Sequence, residues 1–228
     1  MSKKVWAAVK KGLKKQTVQL GPYFSYQILD TPRHFLFSMS RYKFAARMLP
    51  QNKRVKVLEL GCQEGIGTLI LAEAGHQVLG VDFDKDAILH AQNIVKKDNI
   101  SFRQADFMGK RFGKFDAVVS LDAIEHINTE LEDKYMKTIC ANLCSSGFAL
   151  IGTPNVTAKS YASKYSRVGH INLYSAERLD ALFRKYFDNV YIFGMNDEVI
   201  HTGFYPMCHY LMALVCGPKR TARANSRK

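Results

Sequence analysis

The chain has 228 residues, of which 47% are hydrophobic and 23% are charged, and its formal net charge is +13. This length suits one domain with a substantial hydrophobic core. No segment approaches the ~20 consecutive apolar residues that a membrane-spanning helix needs, and no secretory signal follows the first residues. We therefore expect a cytoplasmic protein without a membrane span, in which the five scattered cysteines are reduced.

The positive charge is concentrated at the two ends of the sequence. Residues 1–20 carry six lysines and residues 217–228 carry five basic residues, with no acidic residue in either segment, so the ends supply eleven of the thirteen net charges. The nearly neutral body argues against an extended groove for a nucleic-acid backbone. A nucleic acid is therefore not expected along the body of the protein. The basic ends leave open binding to an anion, which would be RNA, an acidic lipid or an acidic partner. Residues 218–228 are predicted to form a basic, flexible tail.

The N-terminal segment, residues 1–50, predicts two helices that precede the main domain and act as a lid. Lys3–Leu20 places Trp6 and Val9 on one face with lysines around them, which is typical of a basic amphipathic helix that lies on a surface. The alternative is a helix packed loosely on its own domain with solvated lysines. Residues 33–49 repeat apolar side chains every three or four positions and predict the second helix.

From residue 51 onwards, strand patterns alternate with helix patterns. The predicted strands are Val55–Leu60, Gln77–Phe83, Ile100–Ala105, Phe115–Leu121, Phe148–Gly152 and Asn189–Phe193, followed by a last apolar run, His209–Val215. The predicted helices are Thr68–Ala74, Asp86–Lys96, Thr129–Leu143 and Ala176–Tyr186. This alternation predicts βαβ crossovers and a doubly wound, mostly parallel sheet with helices on both faces.

A glycine-containing loop follows the first predicted strand. Ligands of doubly wound sheets bind at the carboxyl ends of the strands, so residues in this position are candidates for binding. Gly61 and Gly65 permit a tight turn and a close approach of the backbone to a ligand. The dinucleotide fingerprint G-x-G-x-x-G requires glycine two positions after Gly61, where this chain has Gln63. The spacing therefore does not match a dinucleotide site.

Acidic residues end the second and third predicted strands. Asp82 is placed to bind ribose hydroxyls, and Phe83 beside it offers a flat apolar face to a purine. Asp106 could accept a hydrogen bond from an exocyclic amine. The alternative for each acid is the N-cap of the following helix, an interpretation that fits Asp84 well.

Four motifs in this order carry a resemblance to a known family. They are Val57–Gly61, Gly80–Asp82, Gln104–Phe107 and Phe115–Val119. The sequence resembles the class I S-adenosylmethionine-dependent methyltransferases from about Val55 to Val215. The resemblance implies a seven-stranded α/β sheet whose last strand is antiparallel, within a domain of residues 51–217. It also implies S-adenosylmethionine as cofactor and S-adenosylhomocysteine as product.

The resemblance further implies roles for individual residues. Glu59, Gly61 and Gly65 would border the methionine part of the cofactor, Asp82 would hold the ribose, and Asp106 with Phe107 would meet the adenine. The predicted cofactor-binding set is completed by Cys62, Phe83 and Leu121. Many members of the family have glycine where this chain has Gln63, which would place the loop slightly further from the cofactor.

The segment after the fourth strand carries the candidate acceptor chemistry. Methyl transfer from a sulfonium is an in-line displacement that depends on positioning, and a hydroxyl acceptor also benefits from a base or a metal. If a helical turn begins there, Asp122, Glu125 and His126 share one face. A later segment could return His170 to the same place.

Three interpretations of these side chains remain open. In the first, His126 or His170 is a general base that Asp122 or Glu125 orients. In the second, all four side chains bind a divalent cation, because the pattern is similar to the E-x-x-E-H segment and later histidine of ubiquinone-pathway O-methyltransferases and small-RNA 2′-O-methyltransferases. This chain has aspartate at the first position, which shortens its reach. In the third, the residues form a structural hydrogen-bond cluster.

We therefore predict methyl transfer to a hydroxyl or an amine of a small molecule or saccharide. The alternatives are an RNA ribose 2′-O-methyltransferase with a divalent cation, and a cofactor-binding protein without catalysis. Residues 196–204 would either wall the acceptor pocket together with Arg41 and Tyr42 or form an ordinary hairpin. The sequence carries no prediction of oligomeric state.

Overall fold

The computed structural model describes residues 2–13 and 17–219. The strands are β1 (Lys56–Leu60), β2 (Gln77–Asp82), β3 (Ile100–Gln104), β4 (Phe115–Leu121), β5 (Leu143–Pro154), β6 (Phe187–Asn196), β7 (Val199–His201) and β8 (Tyr210–Pro218). The helices are α1 (Lys3–Gly12), α2 (Pro22–Leu29), α3 (Pro32–Met48), α4 (Ile66–Leu71), α5 (Lys85–Ile94), α6 (Glu132–Asn142), α7 (Lys164–Gly169) and α8 (Ala176–Phe183).

The strands form one mixed sheet in the order β3-β2-β1-β4-β5-β8-β6-β7. The first five strands in this order are parallel, whereas β8 runs antiparallel between β5 and β6. The predicted α/β class and the antiparallel last strand are confirmed. The predicted number of seven strands is wrong, because β7 adds an eighth strand.

The additional strand explains the segment 196–204. β7 pairs antiparallel with β6, and the intervening turn contains Asp197 with φ +51°. A short turn between antiparallel strands favours residues that tolerate positive φ, and aspartate is one of them. The segment is therefore a hairpin at the edge of the sheet, as the second of the two expectations for it stated.

Both faces of the sheet are covered by helices. Leu58 and Leu60 of β1 share a buried cluster with side chains of α6 and α8, whereas Val57 shares another with side chains of α3 and α4. Successive strand residues point to opposite faces, so β1 contributes to both clusters. Leu58 is completely buried, which stabilises the fold by about 1.5–3 kcal/mol relative to an exposed leucine.

The N-terminal helices differ from those predicted. α1 ends at Gly12, well before Leu20, and no residue of α1 is buried. α2 was not predicted, since Gly21 and Pro22 were interpreted as a break; proline at the first helical position instead fits the start of a helix. Lys14, Lys15 and the predicted tail beyond Lys219 lie outside the described residues. Within the described ranges, no helix combines the length and apolarity that crossing a bilayer requires.

Two boundaries further along the chain also shift. The predicted helix at residues 129–143 starts as a 3₁₀ turn over Thr129–Leu131 and becomes α-helical only from Glu132. β5 begins at Leu143 and reaches Pro154, so it is longer than the apolar run that predicted it. Helix α7, which was not predicted, lies in the connection that follows β5.

A side chain of the glycine loop caps α2. Glu64, which is 2% exposed, accepts hydrogen bonds from the backbone N–H groups of Tyr23 at 2.9 Å and Phe24 at 3.2 Å. An anionic acceptor at a helix N-terminus satisfies free amides and interacts favourably with the helix dipole. A Cβ atom on Gly21 would lie 2.3 Å from Glu64 Oε1, so only glycine leaves room for this contact.

We expect Gly21→Ala to lower the free energy of unfolding by about 1–2 kcal/mol, because the Glu64 carboxylate must leave the α2 amides to make room. Urea denaturation measures this change. Gly12→Ala is the matched control, since a Cβ there would have no heavy atom within 4 Å. Equal stability of Gly21→Ala and the unmodified protein would contradict this account of the cap.

Candidate active site

The glycine loop after β1 turns back over the end of β2. Gly61 and Gly65 have φ of +84° and +76°, and the N–H groups of Gly61 and Cys62 donate to the carbonyl of Val81. Gln63 also has a positive φ, +48°. Glycine adopts a positive φ without strain, which explains why many members of the family have glycine at position 63. A glutamine in this conformation costs conformational free energy.

Asp82 ties this loop to the end of β2. Its side chain is 5% exposed, and its two oxygens accept from the N–H groups of Gln63 and Asp84, each at 2.9 Å. Asp84 in turn caps α5 by accepting from Asp86 and Ala87, which confirms the N-cap interpretation of Asp84. Asp82 thus lies at the carboxyl edge of the sheet beside the glycine loop.

The other predicted cofactor residues divide between the surface and the core. Phe83 is 70% exposed at the carboxyl end of β2. Asp106 is exposed and accepts from the N–H of Met108. Phe107 is only 9% exposed and packs against Tyr135 with 6.3 Å between the ring centroids. Two further predicted residues, Cys62 and Leu121, are buried. Of these five predicted cofactor residues, only Phe83 and Asp106 are therefore exposed at the carboxyl edge of the sheet.

Glu59 is a buried acid beneath the glycine loop. The hydroxyl of Thr68 donates to Glu59 Oε2 at 2.6 Å, while Glu59 Oε1 has no hydrogen-bond partner in the described part of the chain. Burial raises the pKa of Glu59 to about 7. The ring of Tyr42 lies over Gly67, where a Cβ would be 2.1 Å from it. Burial and the nearby Glu59 raise the pKa of Tyr42.

Asp122 pairs with an arginine of α3. Arg41 Nη1 donates to both carboxylate oxygens of Asp122, at 2.8 and 2.7 Å, and the Arg41 guanidinium lies 3.8 Å from the centre of the Tyr210 ring. Asp122 has φ +53° and precedes the 3₁₀ turn Ile124–His126. The predicted helical turn therefore starts after Asp122. The contacts of Asp122 do not match its predicted role of orienting a histidine, because Arg41 holds its carboxylate.

Glu125 is completely buried within the same turn. The Thr153 hydroxyl donates to Glu125 Oε2 at 3.1 Å, and Glu125 Oε1 lacks a partner among the residues that the structure describes. Burial, followed by the charge of Asp122, raises the pKa of Glu125 to about 8. Burial therefore favours the protonated form of this carboxyl group.

His126 and His170 lie beside Glu125. Their ring centroids are 5.0 Å apart, and one potential ligand atom from each of the three side chains lies within 4.8 Å of the other two. His126 Nδ1 is 2.9 Å from the carbonyl oxygen of Gly169. A carbonyl only accepts, so Nδ1 carries the proton, and Nε2 of the neutral ring keeps its lone pair. Burial and then His126 lower the pKa of His170.

A hydrogen-bond network that the sequence did not reveal anchors the segment that follows His170. The N–H of Asn172 donates to the carbonyl of Glu125 at 3.0 Å, and Asn172 Nδ2 donates to the carbonyl of Ile127 at 3.0 Å. Asn172 Nδ2 and the Tyr174 hydroxyl both contact the Glu132 carboxylate. At least 40 residues separate the two sides of this network, so no local pattern could have predicted it.

Helices α2 and α3 cover the cluster with two further titratable side chains. Tyr23 is 41% exposed, yet burial of its hydroxyl end, followed by Asp122, raises its pKa to about 12. Burial and the nearby Arg41 lower the pKa of His34. Both groups are thus within range of the charges of Arg41 and Asp122. The sequence does not indicate either residue, since isolated residues in amphipathic helices carry no functional signal.

The glycine loop and the segment that follows β4 are in direct contact at the carboxyl edge of the sheet. A Cβ on Gly61 would lie 3.4 Å from the Cβ of Ala123, and the Ser120 hydroxyl donates to the carbonyl of Leu60. The glycine loop therefore abuts the segment that leads into Glu125 and His126. This arrangement places the predicted cofactor loop next to the acid–histidine cluster.

We expect Glu125→Gln to change the pH dependence of stability. The folded-state pKa lies near 8, above the usual 4.5, so the stabilisation from this group is complete below its unfolded pKa and is lost as the pH rises through 8. Relative to the variant, the unmodified protein should lose unfolding free energy, on the order of a few kcal/mol, between about pH 5 and about pH 9.

Urea denaturation at several pH values tests this expectation. Glu198→Gln is the control, because it removes the same charge from an exposed residue of the hairpin turn. It should leave the pH dependence of stability nearly unchanged. Identical pH profiles for the unmodified protein and Glu125→Gln would show that the buried carboxyl titrates normally.

Comparison with known proteins identifies the family. The family model described as "Methyltransferase domain" matches residues 33–190. The ubiquinone biosynthesis O-methyltransferase of Pelagibacter ubique is 32% identical over 112 residues, which cover 48% of this chain and 46% of that protein. The mitochondrial ubiquinone biosynthesis O-methyltransferase of Arabidopsis thaliana is 34% identical over 115 residues, 48% of this chain and 35% of that protein. The chain thus matches less than half the length of these relatives.

A solved structure shows the same fold. The methyltransferase domain of bacterial CtHen1-C superposes with a TM-score of 0.65 at 17% identity, covering 80% of this chain and all of that domain. At this identity the likeness concerns the fold alone. The family match over residues 33–190, together with the glycine loop and Asp82 at the carboxyl edge, identifies the family: the chain belongs to the class I S-adenosylmethionine-dependent methyltransferases.

Proposed function

We propose that the protein transfers a methyl group from S-adenosylmethionine to a hydroxyl group of a small-molecule or saccharide acceptor. The observation that carries this proposal is the grouping of Glu125, His126 and His170 within 4.8 Å beside the glycine loop. A hydroxyl must lose a proton when it attacks the methyl group, and imidazole is the side chain best suited to accept a proton near neutral pH.

The cofactor would bind along the carboxyl edge of β1 and β2. Asp82 would accept from the ribose hydroxyls, and the exposed ring of Phe83 would stack on the adenine. Glu59 supports this placement, because its buried Oε1 atom makes no hydrogen bond of normal geometry in the described residues, although the Tyr42 side chain lies near the carboxylate. The ammonium group of the methionine part would supply a donor and hold Glu59 in its ionised form. Phe107, by contrast, packs within the core cluster and would support the adenine site from below.

We expect Asp82→Ala to weaken S-adenosylmethionine binding by about tenfold or more, since a hydrogen bond to a charged group contributes about 1.5–3 kcal/mol. Isothermal titration calorimetry measures the change. Asp116→Ala is the matched control. Asp116 also accepts a backbone N–H, that of Lys56, but it lies at the amino-terminal ends of β1 and β4, on the opposite side from Asp82. Equal weakening by both substitutions would mean that Asp82 acts only through stability.

The chemistry follows from the states of the two histidines. The acceptor oxygen forms a bond to the methyl carbon as the carbon–sulfur bond breaks, and that electron pair returns to sulfur. The acceptor proton passes to imidazole nitrogen, which requires a neutral ring. The lowered pKa of His170 keeps that ring neutral at pH 7, and the Gly169 contact leaves Nε2 of His126 able to accept. Either nitrogen can therefore serve as the base.

The choice of a hydroxyl over an amine is also supported by the relatives. The two ubiquinone biosynthesis enzymes are O-methyltransferases by name, and the matched segments make up 48% of this chain. Arg41, held by Asp122 and Tyr210, lies on the α3 side of the site. With Tyr23 and His34 it would form the polar lining of the acceptor pocket.

We expect His126→Ala or His170→Ala to lower turnover by roughly 10²–10⁴-fold while cofactor affinity stays nearly unchanged. A radiolabelled methyl-transfer assay with phenolic, saccharide and RNA acceptors measures turnover, and calorimetry measures affinity. His90→Ala in α5 is the control for loss of an imidazole elsewhere. Full activity of both site variants would exclude a histidine base, and label incorporated only into RNA would support the ribose alternative.

In a second version of this mechanism, a divalent cation would activate the acceptor hydroxyl. Glu125, His126 and His170 provide one carboxylate and two imidazoles, a donor set that suits a transition metal, and the unpartnered Glu125 Oε1 fits a ligand atom. Asp122 fits less well, since Arg41 occupies both of its oxygens. A bound cation would lower the pKa of the acceptor hydroxyl.

Chelation separates the two versions. Turnover that survives a chelator, in a preparation whose metal content is measured, supports the histidine base alone. Loss of turnover that returns on addition of manganese, zinc or magnesium, together with loss of metal binding in Glu125→Gln, supports the cation.

A further inference from the structure

We propose that α1 is a membrane-surface helix that binds an anionic lipid interface. The apolar side chains of this helix are exposed. Val5, Trp6 and Val9 are 54%, 50% and 45% exposed, Leu13 directly after the helix is 61% exposed, and no residue of α1 is buried. The rest of the described chain therefore does not cover this helix, contrary to the alternative that it packs on its own domain.

The side chains of α1 are segregated by type. Val5, Val9 and Leu13 follow one another at i, i+4 and i+8, so they form one apolar stripe, and Trp6 lies beside it. The four lysines, Lys3, Lys4, Lys10 and Lys11, occupy the other side, and the helix contains no acid. An apolar stripe next to a wholly basic face is the pattern of helices that lie in the plane of a lipid interface.

The helix also needs an external partner to be stable. Isolated helices shorter than about 12–15 residues are marginal in water, and α1 has 10 residues. The Ser2 hydroxyl caps it, but Lys3 and Lys4 stand at the positive end of the helix dipole, which is unfavourable. Anionic headgroups would remove this repulsion, and the acyl boundary would bury the stripe.

Charge and apolarity together favour lipid over other partners. An RNA would neutralise the lysines but would leave the apolar stripe in water. A second copy of the chain would bury the stripe but would bring two sets of lysines close together. An anionic lipid surface satisfies both features, and tryptophan is a favoured residue at such interfaces.

Trp6 provides a direct test, because it is the single tryptophan of the chain. The full-length protein is mixed with vesicles of phosphatidylcholine alone or with added phosphatidylglycerol. We expect the Trp6 emission to shift to shorter wavelength and the protein to sediment with the vesicles only when phosphatidylglycerol is present. Salt should weaken this binding, since it screens the lysines.

Variants separate the contributions of the two faces. Val9→Glu should abolish binding, and Lys10→Gln with Lys11→Gln should weaken it by about fivefold for each lysine. Lys96→Gln with Lys97→Gln, an exposed pair on the body of the protein, is the control for net charge and should bind normally. Unchanged cofactor binding in each variant shows that the fold is intact.

Three results would overturn the proposal: no emission shift with phosphatidylglycerol, equal binding to both kinds of vesicle, or equal weakening by the two lysine pairs. A shift produced by single-stranded RNA but not by vesicles would identify RNA as the partner instead. Because none of these measurements involves methyl transfer, the proposal stands or falls independently of the proposed reaction.

Discussion

The parallel register of the central strands is the constraint on which the site depends. Leu60 of β1 lies opposite Val81 of β2, and Glu59 lies opposite Val119 of β4. Strands aligned in this way end at the same edge, so the loops that follow them are brought together. The glycine loop, Asp82 and the segment leading to Glu125 meet there because the buried sheet fixes their backbones, and the side-chain hydrogen bonds of Asp82 and Ser120 then join them.

The Arg41–Asp122 pair connects this edge to the helices that precede the sheet. The side chains of Arg41 and Asp122 are 9% and 35% exposed, so the arginine is largely removed from water. Desolvation of a charge is costly, and two hydrogen bonds and the Tyr210 ring offset that cost here. Asp122 also adopts φ +53°, a left-handed conformation that aspartate tolerates better than most residues other than glycine. The pair therefore fixes Asp122 directly before the turn that carries Glu125 and His126.

Two buried acids give the edge an unusual electrostatic character. Burial raises the pKa of Glu59 to about 7 and of Glu125 to about 8, and each has one carboxylate oxygen without a partner in the described chain. Such groups are stabilised when a cation or a donor arrives. Glu59 lies beneath the glycine loop, where the proposed cofactor would bring an ammonium group. Glu125 lies beside His126 and His170, where the proposed cation would bind.

The sequence by itself determined the alternation of strands and helices, the glycine loop and the acid at the end of β2, because hydrophobic periodicity and glycine spacing are local properties. It also pointed to Glu125, His126 and His170 as a group. The tertiary structure decided that Asp122 contacts Arg41, that Phe107 packs against Tyr135, that Glu64 caps α2 and that Asn172 binds the carbonyls of Glu125 and Ile127. Each of these contacts joins residues far apart in the chain, and the choice among several possible partners is made only when the helices pack on the sheet.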